Sequence, residues 1–168
     1  MRNISNLKRS ILEIAQVLAQ DTNLCKLVYN DDTDPLNIPL PPEIDLNYLI
    51  QNHYFSIEPP VENRINDFDR NTFITILLDS VSPGAEQNVY GYFYVYVTTN
   101  SDHLLIKDNK NRLLEMADEV MKALDEKKLS SAGALNFSSM QFTMLSDFHP
   151  SYRLSFRITD QVVRKAEI

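Results

Sequence analysis

Over residues 5–20 the apolar positions Leu7, Ile11, Ile14 and Leu18 recur at steps of four, three and four, with Lys8, Arg9, Glu13 and Gln16 off that line. A repeat near 3.6 puts such positions on one side of a helix, so an amphipathic helix is predicted. The break "QDTN" then offers Asp21 or Thr22 as a cap, since a short side-chain oxygen can accept from the unpaired N–H groups of a first helical turn. "LCKLVYN" continues as a short second helix. From Asn30 to Pro60 the period lapses, and six of the eight prolines fall here. Proline removes a backbone donor and turns its predecessor away from helix. Residues 30–62 are therefore expected as an extended proline-rich arm or loop, with at most a helical turn near Leu46 to Ile50 and a short strand in "HYFSIEP".

Beyond the arm the pattern changes to that of strands. "TFITILLDSV" (72–81) is rich in β-branched and aromatic residues and apolar on both faces, as a central strand is. After the turn-forming "SPGAEQN" comes "NVYGYFYVYV" (88–97), where Tyr90, Tyr92, Tyr94 and Tyr96 alternate with Val89, Gly91, Phe93, Val95 and Val97. The two are expected to pair antiparallel. Leu113, Ala117, Val120, Met121 and Leu124 mark another amphipathic helix. After a linker, "SSAGALNFSS", the alternations "MQFTML" and "YRLSFRIT" read as two half-buried strands joined by "SDFHPS". The whole reads as a single α+β domain over 1–168: an antiparallel sheet of about four to five strands, with two amphipathic helices packed on one face.

Composition narrows the function. Three glycines leave little room for glycine-rich phosphate loops, and no G-x-G-x-x-G or Walker pattern occurs. A formal charge of -7 disfavours a phosphate-neutralising surface. No segment approaches the roughly 18 consecutive apolar residues that a membrane helix needs. Cys25 is the single cysteine, which excludes an intrachain disulfide and reads as a small buried hydrophobe.

Candidate chemistry is sparse. His53, His103 and His149 lie in separate segments without metal-ligand spacing and read as surface or loop residues. Asp31, Asp32 and Asp34 resemble the start of a calcium loop, but the glycine and the distal glutamate of that motif are missing, so a solvated turn before Pro35 is expected. Asp67 and Asp69 in "NDFDRN" offer paired carboxylates without a visible cleft. No Ser, His and Asp set stands out, and an enzyme is not expected; neither is a cofactor or a metal. The tyrosine row could hold stacked bases, yet no Lys or Arg occurs from Asn88 to Asn100 to accompany it. With Phe93 and the valines toward the helices, Tyr90, Tyr92, Tyr94 and Tyr96 form the second face of the sheet. That face reads either as partly solvated cross-strand pairs or, as expected here, as a subunit interface, where tyrosine is enriched.

The opening "LKRSILEIAQVLAQDTNLCKLVYN", the "IPLPPEI" arm, "FITILLDSV", "NRLLEMADEVMKAL" and the closing "YRLSFRITD" resemble, in order and layout, the tail terminator (tail completion) proteins of long-tailed bacteriophages. The resemblance implies a non-enzymatic neck protein of the virion, made in the host cytoplasm. It implies a homo-oligomeric ring, a hexamer, that caps the tail tube protein, stops its polymerisation and meets a head-side connector or stopper protein. DNA would pass through the lumen without sequence-specific binding, and no membrane is involved. In that setting Pro39, Leu40, Pro41 and Pro42 of the arm join the tyrosines as interface candidates, and Asp67, Asp69 and Asp147 are candidates for an acidic lumen that repels phosphate. Another head-completion or connector protein, or a cytosolic binding module, is the alternative.

Overall fold

The computed structural model describes residues 4–57, 71–83 and 89–160, with side chains described over 9–57, 71–80 and 91–158. α1 (Ile4–Ala19) and α2 (Thr22–Tyr29) meet at Asp21, whose extended backbone opens α2 while its carboxylate accepts from the Leu24 N–H at 2.8 Å. The proline-rich stretch follows. It holds a 3-10 turn at Pro35–Asn37 and α3 (Leu46–Gln51), which Asp45 caps by accepting from Tyr48 N–H at 2.8 Å. β1 (Phe55–Ser56), β2 (Thr72–Pro83) and β3 (Val89–Thr99) come next. A small ribbon, β4 (Leu105–Ile106) with β5 (Lys110–Asn111), leads into α4 (Arg112–Leu124). β6 (Leu135–Ser146) and β7 (His149–Asp160) close the chain.

The fold is α+β, as the patterning predicts. Its five-stranded sheet has the order β1-β2-β3-β7-β6, with every pair antiparallel except the two-residue β1, which runs parallel to β2 at one edge. Ile74, Ile76, Phe93, Val95, Val97, Leu154, Phe156 and Ile158 line one face and are buried with Ile14, Leu18, Leu24, Leu113, Met116 and Val120 of the helices. Each such side chain contributes about 1.5–3 kcal/mol. The eight-residue α2 is too short to persist alone in water, so this burial is what holds it.

A charged residue lies inside the helical layer. Arg112, at the start of α4, is fully buried. Its guanidinium donates to the carbonyl oxygens of Leu27 (2.7 Å), Asn30 (2.6 Å), Asp32 (2.6 Å) and His103 (2.9 Å). Those carbonyls include the end of α2, where the helix dipole is negative. Burial pulls the guanidinium below its usual range and the Asp31 and Asp32 carboxylates oppose that. Arg112 thereby fastens α4 to α2 and to the chain leaving it.

Over its described part the proline-rich stretch runs along this core. Leu36, Leu40, Ile44, Leu46, Tyr48 and Ile50 pack against it, and Leu49, Tyr54 and Phe55 are buried in it. Tyr54 gathers Tyr29 and Tyr48 with ring centroids at 5.3 and 6.4 Å.

Two sequence expectations need correction. β6 begins at Leu135, inside the stretch read as a linker, because Leu135 and Phe137 already alternate with Asn136 and Ser138; the serines around them masked a strand. The link from β6 to β7 is accordingly a tight turn at Asp147 and Phe148.

Candidate subunit interface

β3 places Gly91, Phe93, Val95 and Val97 under the helices and Tyr92, Tyr94 and Tyr96 on the other face, where all three are half-buried. Backbone pairing for Tyr90 continues the row beside Ser82 and Thr159, and its side chain lies outside the described residues. Tyr94 and Tyr96 meet edge to face at 6.3 Å. Among the described residues no helix packs on this side of the strand. The neighbours come from the strands alongside: Leu77 and Ser155 flank Tyr94, and Thr75 and Arg153 flank Tyr96.

The tyrosine face carries arginine after all. Arg153 stands on β7 with its guanidinium carbon 4.6 Å from the centre of the Tyr94 ring, and one of its amino groups donates to Gln141 Oε1 at 2.5 Å. Its Nε is buried and has no acceptor among the described residues. Arg157 stands opposite Tyr92. Both arginines reach the row from an adjacent strand, so a search for basic residues within the tyrosine segment misses them. Burial, with a hydrogen bond to Asp79, raises the Tyr94 phenol above its ordinary value of 10.0.

This face is not open along its whole length. At the end near the β6–β7 turn, Phe73, Thr98, Ser151 and His149 are buried. A hydroxyl pair knits the strands there, Thr98 with Ser151 at 3.0 Å, and on the helix-side face Thr72 pairs with Thr99 at 2.8 Å. His149 thus departs from the surface position expected of it; its ring lies 6.2 Å from that of Phe73 and its Nδ1 is 2.8 Å from the Ser146 hydroxyl. Burial lowers its pKa. His53 is exposed, and His103 Nδ1 lies 3.0 Å from the Asp31 carbonyl oxygen.

Of the arm candidates, Pro39 and Pro42 are exposed, Pro41 is half-buried and Leu40 is packed on the core. Asp147 is exposed at the tip of the β6–β7 turn, while Asp67 and Asp69 lie outside the described residues. The acidic turn is tied to protein partners: Asp31 accepts from Asn71 at 2.8 Å, and Asp34 pairs with Lys107 at 2.9 Å. Lys107 and Asn37 hold the Asp34 carboxyl below its ordinary value. Cys25 is buried as read, and that burial pushes its thiol up to about 12. Among the described residues no helix is long and apolar enough to cross a membrane.

A second uncovered surface was read as half-buried from its alternation alone. Met140, Phe142 and Met144 of β6 are 42%, 53% and 48% exposed, and Phe148 beyond them is 65% exposed. They share the helix-side face of the sheet, but the helices cover only the first part of β6, at Leu135 and Phe137.

A family model described as YomW matches residues 21–158. In shape the chain is similar to one in the solved virion of a native gene transfer agent (GTA) particle, with a TM-score of 0.55 and 15% sequence identity. The match covers 88% of this chain and 90% of that one, a likeness of fold. Among curated proteins there is no match.

Proposed function

The chain belongs to the YomW family, and with that membership as premise we propose that it is a structural, non-enzymatic protein of a phage-type virion. More narrowly, it acts as a tail terminator: a homohexameric ring that caps the last tail-tube ring, stops its growth and joins the tail to the head-side connector. The observation that carries this reading is the shared fold with a chain of a virion particle, extending over nine-tenths of that chain. The element order supports the terminator role. The tyrosine face supports assembly, because half-buried tyrosines on a sheet face that no helix covers among the described residues gain burial when a neighbour covers them.

In the ring, Tyr90, Tyr92, Tyr94 and Tyr96 meet the next subunit, with Pro39 and Pro42 contributing from the arm. Asp147 at its turn tip, with Asp67 and Asp69, lines the lumen, where like charge lets duplex DNA pass without holding it. The test is loss of the chain from its own particle. Tails of uncontrolled length are expected. Tails of normal length that fail to join heads would instead identify a connector, and unchanged particles would refute a virion role.

A further inference from the structure

We propose that the free edge of β6 pairs antiparallel with the β6 edge of a second copy, centred on Phe142. β6 is the last strand of the sheet, and among the described residues no strand pairs with its outer side. The turn after α4 satisfies the start of that side: Leu135 exchanges backbone hydrogen bonds with Glu126 and Lys127, and Phe137 N–H donates to Asp125 Oδ1 at 2.9 Å. From Ser139 onward that cover ends.

Exposed edge strands normally carry a charge, a proline or a distortion that blocks further pairing. In a chain that is 23% charged, the twelve residues Leu135–Ser146 hold no charged residue and no proline. The two register shifts of β6 fall between Phe137 and Ser139 and between Met144 and Ser146, so the segment between them is regular.

The same segment is suited to its own copy. Met140, Gln141, Phe142, Thr143 and Met144 read apolar, polar, apolar, polar, apolar in either direction. Antiparallel pairing therefore sets Phe142 against Phe142, Met140 against Met144 and Gln141 against Thr143. It joins the two exposed apolar strips on one face and the polar positions on the other, whereas a one-residue slip would mix them. A membrane surface would use the apolar strip but leave the strand edge unpaired. The tyrosine face stays free, so this contact is separate from the ring surface proposed above.

Cysteine scanning on the full chain tests the register. Under mild oxidation Phe142→Cys should give a disulfide-linked dimer, because the two sites are face to face. Met140→Cys should not, since four residues, about 13 Å of strand, separate its two copies, beyond disulfide reach. Cys25 is buried with its thiol pushed up to about 12 and stays silent. Phe142→Lys should raise the dimer dissociation constant more than about tenfold in sedimentation, since like charges then stand opposite; a thermal melt checks that this exposed site leaves the fold intact. Tyr94→Ser should leave the 142 link in place even where it abolishes the ring. No link at 142, or equal linking at 140 and 142, overturns the pairing. So does a strictly monomeric wild type, whose edge would then belong to a strand of a different protein.

Discussion

The two faces of β3 differ by one residue in register and by an entire layer in surroundings. Phe93, Val95 and Val97 are buried beneath the helices, while Tyr92, Tyr94 and Tyr96, alternating with them, are half-buried among strand neighbours. On the covered face a side chain stabilises the monomer by displacing water from a packed interior. On the tyrosine face Tyr94 meets Tyr96 and the Arg153 guanidinium, and all three rings keep a part of their surface accessible. One strand thus serves folding with one side and, in the proposed ring, assembly with the other.

Substitutions can break this division. The largest effect belongs to the covered face: Phe93→Ala should cost about 3–5 kcal/mol in denaturant unfolding, through lost transfer energy and a residual cavity. Loss of Phe93 with little change in stability would mean that the helical layer is loosely packed. Next is the fastening of that layer. Arg112→Met keeps the volume but leaves the four carbonyls unpaired, and about 3 kcal/mol should be lost. A stable Arg112→Met with native helix content in circular dichroism would show that packing alone holds α4.

On the opposite face, Tyr94→Ser should lower monomer stability by about 1–2 kcal/mol, from partial burial and the arginine contact. It should weaken assembly far more, as mass photometry beside thermal melts would reveal. Equal losses of both would make the tyrosines ordinary core residues and erase the contrast.

The smallest expected effects are in pH, and they have opposite signs on the two sides. Glu13 on α1 accepts hydrogen bonds from the Ser130 and Ser131 N–H groups and from the Ser131 hydroxyl. Burial raises its pKa, but these bonds outweigh that and hold it below the ordinary 4.5. Its contribution is present above 4.5 and is lost as pH falls through the folded value. Tyr94, raised above 10.0, contributes fully below that pH and loses its contribution as pH rises through its folded value. Glu13→Gln should therefore flatten the acid limb of a stability–pH curve and Tyr94→Phe the alkaline limb. Unchanged limbs would show that other groups govern both.

Much of this was legible along the chain because amphipathic periodicity reports local structure. The stripe of α4 follows from it, as does the division of β3 into two faces, and the break before α2 narrowed its cap to Asp21 or Thr22, of which the structure uses Asp21. Other features were not local. β6 was cut short because serines in an alternating strand look like a linker, and His149 was placed at the surface because nothing near it in sequence foretells Phe73 above it. Arg153 was missed at the tyrosine row for a similar reason: it lies more than fifty residues away and arrives only through the pairing of β3 with β7.

By itself, then, the sequence determined where the long helices and strands lie and which side of each is apolar, since these depend on spacing along one backbone, while the start of β6 and the short β4–β5 ribbon escaped it. Tertiary structure decided how far each apolar side is covered. The helices are shorter in reach than the sheet is wide, so Leu135 lies inside while Phe142, seven residues on along the same strand, stays exposed.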